Sequence, residues 1–190
     1  LSDGYTREAI SSFATSLERF YEFVIKFILI SDEIDEGLLS KYWKEISKQS
    51  ERQFCGYMSL FVNKFKKHPP TLKNNWIQFR NSVLHGGKIP TERETLEYSQ
   101  LVSDQIFDVL FIVKEYCKED VNVLFHKVYK YNANIIKKEN PQIKNPSSGS
   151  YPTLIQIRMI NNSNFKRLNL INEVEKYKNV KQPRRIAYIK

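Results

Sequence analysis

Arg80, Asn81 and His85 bring a guanidinium, a carboxamide and an imidazole within six residues, and Gly86 and Gly87 follow at once. A guanidinium is permanently charged and presents a planar fork that matches phosphate oxygens, while imidazole is the side chain that exchanges protons near neutral pH. Together these types suit phosphodiester chemistry. A plainer reading stands beside it. Arg80 could be a buried structural arginine bonded to Glu18, and His85 a helix C-terminal residue, where a protonated imidazole gains ~0.3–1 kcal/mol from the dipole. For either residue alone the plainer reading is the stronger; Arg, Asn, His and Gly-Gly together at one helix end favour a phosphate-handling site.

The element that must carry these groups reads as a helix from about Leu72, with Leu72, Trp76, Phe79 and Val83 recurring as one buried stripe. Arg80 and Asn81 lie beside that stripe. Either Gly86 or Gly87 can take the left-handed conformation that ends a helix, which places His85 in the last turn. At 100° per residue, Arg80 and His85 point about 140° apart, so a single helix does not bring both onto one phosphate. A second copy can.

Arg80-Asn81-Ser82-Val83-Leu84-His85, with four residues between Arg and His and Asn in the polar position, resembles the R-x4-6-H signature of the HEPN superfamily. The resemblance covers roughly residues 5 to 135. It implies an all-α, HEPN-like antiparallel bundle of four to five helices, here with a basic C-terminal extension. The activity it implies is metal-independent endoribonuclease chemistry, with no cofactor and no metal. His85 would transfer the proton, a kind of help worth ~10²–10⁴ in rate. Arg80 would hold the non-bridging phosphate oxygens as charge develops, and Asn81 would orient the imidazole or the phosphate. The products implied are a 2′,3′-cyclic phosphate and a 5′-hydroxyl. In this family an acidic residue of the first helix often braces the motif arginine, which makes Glu18 the candidate brace. Paired HEPN domains face their motif helices across a cleft, so a C2 homodimer with a composite site belongs to the expectation. The biological setting implied is that of a toxin or an anti-phage defence effector. Two alternatives remain open: a non-catalytic HEPN-like module that binds a nucleotide, an RNA or a protein, and an assembly or antitoxin-like subunit. A regulatory or antitoxin protein partner is compatible with each.

Composition sets bounds on this. With 41% hydrophobic and 13% aromatic residues, 190 residues can bury a sizeable core, and six glycines argue against an all-β sandwich. The net charge of +9 is unevenly placed: residues 126–190 carry 14 Lys/Arg against 3 Asp/Glu, and residues 1–125 carry 16 against 18. The basic excess belongs to the C-terminal third, and a polyanion partner, RNA, is the functional reading of it. Cys55 and Cys117 share no metal-ligand spacing and read as buried free thiols of a reducing compartment, hence a cytoplasmic protein. No apolar run reaches the ~18 residues of a membrane span, and no signal-peptide pattern is present. The lack of a starting Met suggests either a trimmed chain or a piece of a longer protein.

In chain order, a first helix is expected over Thr6–Leu29, with Phe13, Leu17, Phe20, Val24, Phe27 and Ile28 inward. An acidic break precedes a second helix, Gly37 to Lys67, bent near Gly56, with Trp43, Ile46, Phe54, Met58, Phe61, Val62 and Phe65 in the core. Lys64, Lys66 and Lys67 at its end, and Lys88 after the motif, are candidate RNA phosphate contacts. Helix-dipole complementation is the stronger reading of the first three. His68, beside two prolines, reads as an exposed loop residue. Thr91 and Glu94 form a capping box for a helix reaching about Lys118. A further helix spans Asp120–Lys138, with Val123, Leu124, Val128, Tyr131 and Ile135 inward and His126 at the surface. Residues 1–139 are thus read as the helical domain, 140–152 as a linker and 153–190 as the basic extension, itself a candidate small subdomain. Within it, residues 153–160 are a strand or a helix, Phe165–Lys178 a short basic helix, and the last ten residues extended.

Overall fold

The structure, a computed structural model, describes residues 5–117, 121–143 and 167–179. Among them the chain is all-α: α1 Thr6–Ser31, α2 Glu36–Ile46, α3 Ser50–Phe65, α4 Asn74–Leu84, α5 Glu92–Tyr116, α6 Val121–Glu139 and α7 Leu170–Asn179, with no strand. The described residues fall into two compact units. One is drawn from residues 5–13, 72–104 and 167–179, and the other from 14–71, 105–117 and 121–143. Both α1 and α5 give their first part to the former and the remainder to the latter. Residues 153–160, the last ten residues and most of the 140–152 segment lie outside the description.

In the second unit, α1 is buried far beyond a stripe. Phe20, Val24, Ile25, Phe27 and Ile28 are each at most 1% exposed, and Leu17, Tyr21 and Phe23 are buried with them. A helix apolar on most of its circumference is a core helix. Its aromatics meet two partners: Phe23 and Phe27 lie 5.2 and 5.5 Å from Phe125 of α6, and Tyr21 lies 4.5 Å from Tyr57 of α3. From Tyr57 the contact continues along α3 through Phe61 to Phe65, which meets Tyr116 of α5 edge-on. Each such side chain, fully buried, is worth ~1.5–3 kcal/mol.

One charge sits inside this core. Lys26 interrupts the apolar run of α1, is 3% exposed, and donates to Glu22 Oε1 at 2.6 Å and Asn132 Oδ1 at 2.7 Å. Its ammonium also stands 4.6 Å from the Trp43 ring centre. Burial pushes its pKa below the ordinary lysine value, and the Glu22 carboxylate works against that shift.

The expected single helix over 37–67 is two helices. Ser47, Lys48 and Gln49 separate them, with the Gln53 amide donating to the Ser47 carbonyl at 3.2 Å across the break. Gly56 lies within the unbroken α3. Its missing side chain leaves room for the Tyr42 hydroxyl, which a Cβ there would meet at 3.0 Å, so the glycine lets α2 and α3 close on each other. Three further expectations are corrected by exposure. Val62 and Val123 are 44% and 49% exposed, and Cys55 is exposed because it lies about 160° around α3 from the buried Tyr57. Cys117 is half-buried, and neither cysteine is in a disulfide.

The first unit holds the motif helix. Tyr98 of α5 is 1% exposed and lies 6.3 and 6.0 Å from Trp76 and Phe79 of α4, which are themselves 5.3 Å apart and edge-on. Val83 is fully buried, whereas Trp76 and Phe79 are half-buried and Leu72 precedes the helix. The expected stripe is therefore buried only at its Val83 end. The capping box is as read: Glu94 N–H donates to the Thr91 hydroxyl at 3.2 Å, and Thr91 N–H returns to the Glu94 carboxylate at 2.8 Å. Ahead of α7, Gln100 clamps the chain. Its amide donates to the Leu168 carbonyl at 2.9 Å and its oxygen accepts the Leu170 N–H at 2.8 Å.

Candidate functional site at the end of the motif helix

Asn74 to Leu84 make three turns with no acidic or basic residue in the first or last one, so the dipole of α4 is uncompensated by its own side chains. His85 is the C-cap and keeps helical register, donating its N–H to the Asn81 carbonyl at 2.9 Å. Gly86 follows in close contact with the helix, since a Cβ there would stand 2.8 Å from the Ser82 carbonyl oxygen. Gly87, with φ at +74°, takes the left-handed conformation, and the chain then turns back far enough for Lys88 N–H to reach the Ser82 carbonyl at 3.0 Å.

That stop displays two side chains. Asn81 and His85, one turn apart, share a face at about 40° separation. Both are exposed, and among the described residues neither side chain is engaged in a hydrogen bond or ion pair. Arg80 is half-buried on the same helix and has an interaction of its own. The Ser82 hydroxyl donates back to the Phe79 carbonyl at 2.7 Å, as hydroxyls in helices do, and is not poised as a nucleophile.

Around the stop, charge is organised in ways the sequence did not disclose. The Arg7 guanidinium lies 3.5 Å from the Leu84 carbonyl, a cation from 77 residues away set against an open helix C-terminus. No local signal links the two positions. Lys88 bonds Glu94 at 2.7 Å and rests 4.7 Å from the Phe79 ring centre, so the stretch after the glycines is tied both to α4 and to the start of α5. Hydrogen bonds from Lys88, foremost, and from Thr91 hold the Glu94 carboxyl at about 2, well below its ordinary 4.5.

The remaining candidates are placed as follows. Glu18 is half-buried on the part of α1 that belongs to the other unit, and it has an interaction of its own. Lys64 is paired with Asp32 and lies 5.7 Å from the Tyr116 ring centre; Lys67 lies 3.9 Å from Glu115. Lys66, at φ +54°, ends α3 and approaches the Asn63 amide oxygen at 3.4 Å. Three of the four lysines considered as phosphate contacts thus already have carboxylate neighbours. His68 and His126 are exposed. Among the described residues no group of three or more His, Cys, Asp or Glu is arranged to hold a metal ion, and no helix is long and apolar enough to cross a membrane. Compared with known proteins, the chain matches no family model, no curated protein and no solved structure.

Proposed function

We propose that this chain is a metal-independent endoribonuclease of HEPN type, in which His85 transfers protons, Asn81 orients and Arg80 holds the scissile phosphate. The observation that carries the reading is the display of an unengaged imidazole and carboxamide, side by side and exposed, at a glycine-built stop one turn past an arginine. Removal of the 2′-hydroxyl proton lets that oxygen attack phosphorus, and the 5′-oxygen leaves as it gains a proton. The phosphodiester becomes a 2′,3′-cyclic phosphate with no co-reactant. Arg80 points about 140° from His85, so in this reading the arginine over a given phosphate comes from a second copy, and the active form is a C2 homodimer. Glu18 as the brace of Arg80, and a role as a cytoplasmic toxin or anti-phage effector with a protein regulator, belong to the same proposal through the resemblance.

The test is cleavage of total RNA in EDTA by the wild-type chain, Arg80→Ala and His85→Ala, with the product ends mapped. Cleavage that survives chelation, leaves cyclic phosphates and falls by ~10²-fold or more in each variant is the expected result. RNA binding without cleavage, from folded dimeric protein, would instead establish the alternative of a non-catalytic HEPN-like binding module. Equal cleavage by all three proteins would sink the site.

A further inference from the structure

The outward face of α6 carries charge of one sign only. His126, Lys127, Lys130, Asn134, Lys137 and Lys138 are all exposed, and at 100° per residue they fall within about 120° of the helix circumference. Leu124, Phe125, Val128 and Tyr131 occupy the opposite, buried side and fix which face looks out. From Lys127 to Lys138 the four ammonium groups run along about 16 Å of helix.

These lysines differ from six others in the described chain. Lys26, Lys48, Lys64, Lys67, Lys88 and Lys176 are each within 4 Å of a carboxylate. The four on α6 make no ion pair among the described residues. Glu33 and Glu36 line a cleft of about 330 Å³ together with Lys127 and Lys130, yet no pair closes across it. Glu139 stands outside the arc, at the end of the helix. The helix that carries this row of ammonium groups, none of them in an ion pair among the described residues, is fixed by the aromatic packing of Phe125 against Phe23 and Phe27.

We propose that this face of α6 is a docking surface for the phosphate backbone of RNA, separate from the chemistry of Arg80 and His85. The choice of RNA over another polyanion rests on the ribonuclease reading; the geometry supplies the charge. Lysine is a strongly hydrated point charge that neutralises phosphates without reading bases, so the surface adds affinity and not sequence preference. Each phosphate neutralised releases counterions and steepens the salt dependence of binding by about 0.7 per contact on a single strand.

The experiment uses the full chain and a fluorescein-labelled 2′-O-methyl RNA of about 20 nucleotides, which lacks the attacking hydroxyl, followed by anisotropy across a salt series. In the variant Lys127→Gln/Lys130→Gln/Lys137→Gln/Lys138→Gln the slope of log Kd against log salt should flatten by up to about 3. The exposed set Lys41→Gln/Lys44→Gln/Lys48→Gln/Lys73→Gln removes the same charge and should flatten it by less than about 1. A pair variant, Lys130→Gln/Lys137→Gln, should lose about half the quadruple effect and serves if the quadruple variant fails to fold. Equal flattening by the α6 and control sets would reduce the effect to net charge and overturn the proposal. So would displacement of the RNA by polyglutamate at equal charge concentration, which would assign the face to an acidic protein. Cleavage of a dinucleoside monophosphate separates the two readings: the α6 variant should keep the wild-type rate. A wild type that cleaves nothing fails the ribonuclease reading, while the slopes still decide the docking surface.

Discussion

Gly86 and Gly87 are neighbours that are glycine for different reasons, and substitutions separate them. At Gly87 the strain is conformational: φ of +74° costs an alanine ~1–2 kcal/mol, while asparagine tolerates it better. At Gly86 it is steric, because the new Cβ would press on the Ser82 backbone at 2.8 and 3.2 Å, and backbone cannot rotate away. Urea unfolding should show Gly87→Ala destabilised by ~1–2 kcal/mol and Gly87→Asn by less. Gly86→Ala should lose ~1–3 kcal/mol and, in the proposed reading, more cleavage than Gly87→Asn, because displacing the Ser82 carbonyl moves His85. Equal stability of Gly86→Ala and wild type would refute the close approach. At this scale the sequence was legible where types are adjacent: Arg80, Asn81, His85 and the two glycines stand in one stretch. Arg7 was not, since its guanidinium meets Leu84 through tertiary structure alone. Lys26 left a signal that went unread, a single cation inside an apolar run of α1.

Among the elements, α5 was the most legible, because its start is written in local chemistry. Thr91 and Glu94 satisfy each other's backbone donors, and Lys88 binds the same carboxylate. This knot has a pH signature. The Glu94 carboxyl sits at about 2 in the folded chain against an ordinary 4.5, so the unfolded chain binds the proton more readily. Its contribution is therefore complete above pH 4.5 and is lost as pH falls towards about 2. The difference in urea midpoint between wild type and Glu94→Gln should be largest above that window and should narrow through it; a gap constant with pH would refute the assignment. Thr91→Ala, which removes the hydroxyl partner, should cost ~1 kcal/mol. The helix over residues 37–67 was less legible, because polar residues at 47–49 interrupt it without a proline or glycine. Gly56, read from the sequence as a bend, is where α2 and α3 meet. Edges of faces were the other weakness: Val62 and Val123 fit the apolar period yet stand exposed, since periodicity places a residue on a face but not its depth in the core.

For the whole molecule, the all-α class followed from long helical periods and few glycines, whereas the division into two units did not. Each unit draws on segments far apart in sequence, and α1 and α5 each serve both, an arrangement no linker composition announces. The assembly proposed for the active form makes its own prediction. If every phosphate is served by Arg80 of one copy and His85 of the other, an Arg80→Ala chain and a His85→Ala chain should complement each other. A heterodimer of the two has one site with both native groups and one with neither. Random exchange at equal concentrations makes about half the dimers mixed, so about a quarter of wild-type activity should return from two nearly inactive proteins. Co-expression with different affinity tags and purification through both would isolate the heterodimer, which should reach about half of wild type. Activity no higher than that of either parent, from a heterodimer verified by mass, would require both groups to come from one chain. It would then place the convergence of Arg80 and His85 in a change of conformation at the end of α4, the region that Gly86 and Gly87 hold in its present form.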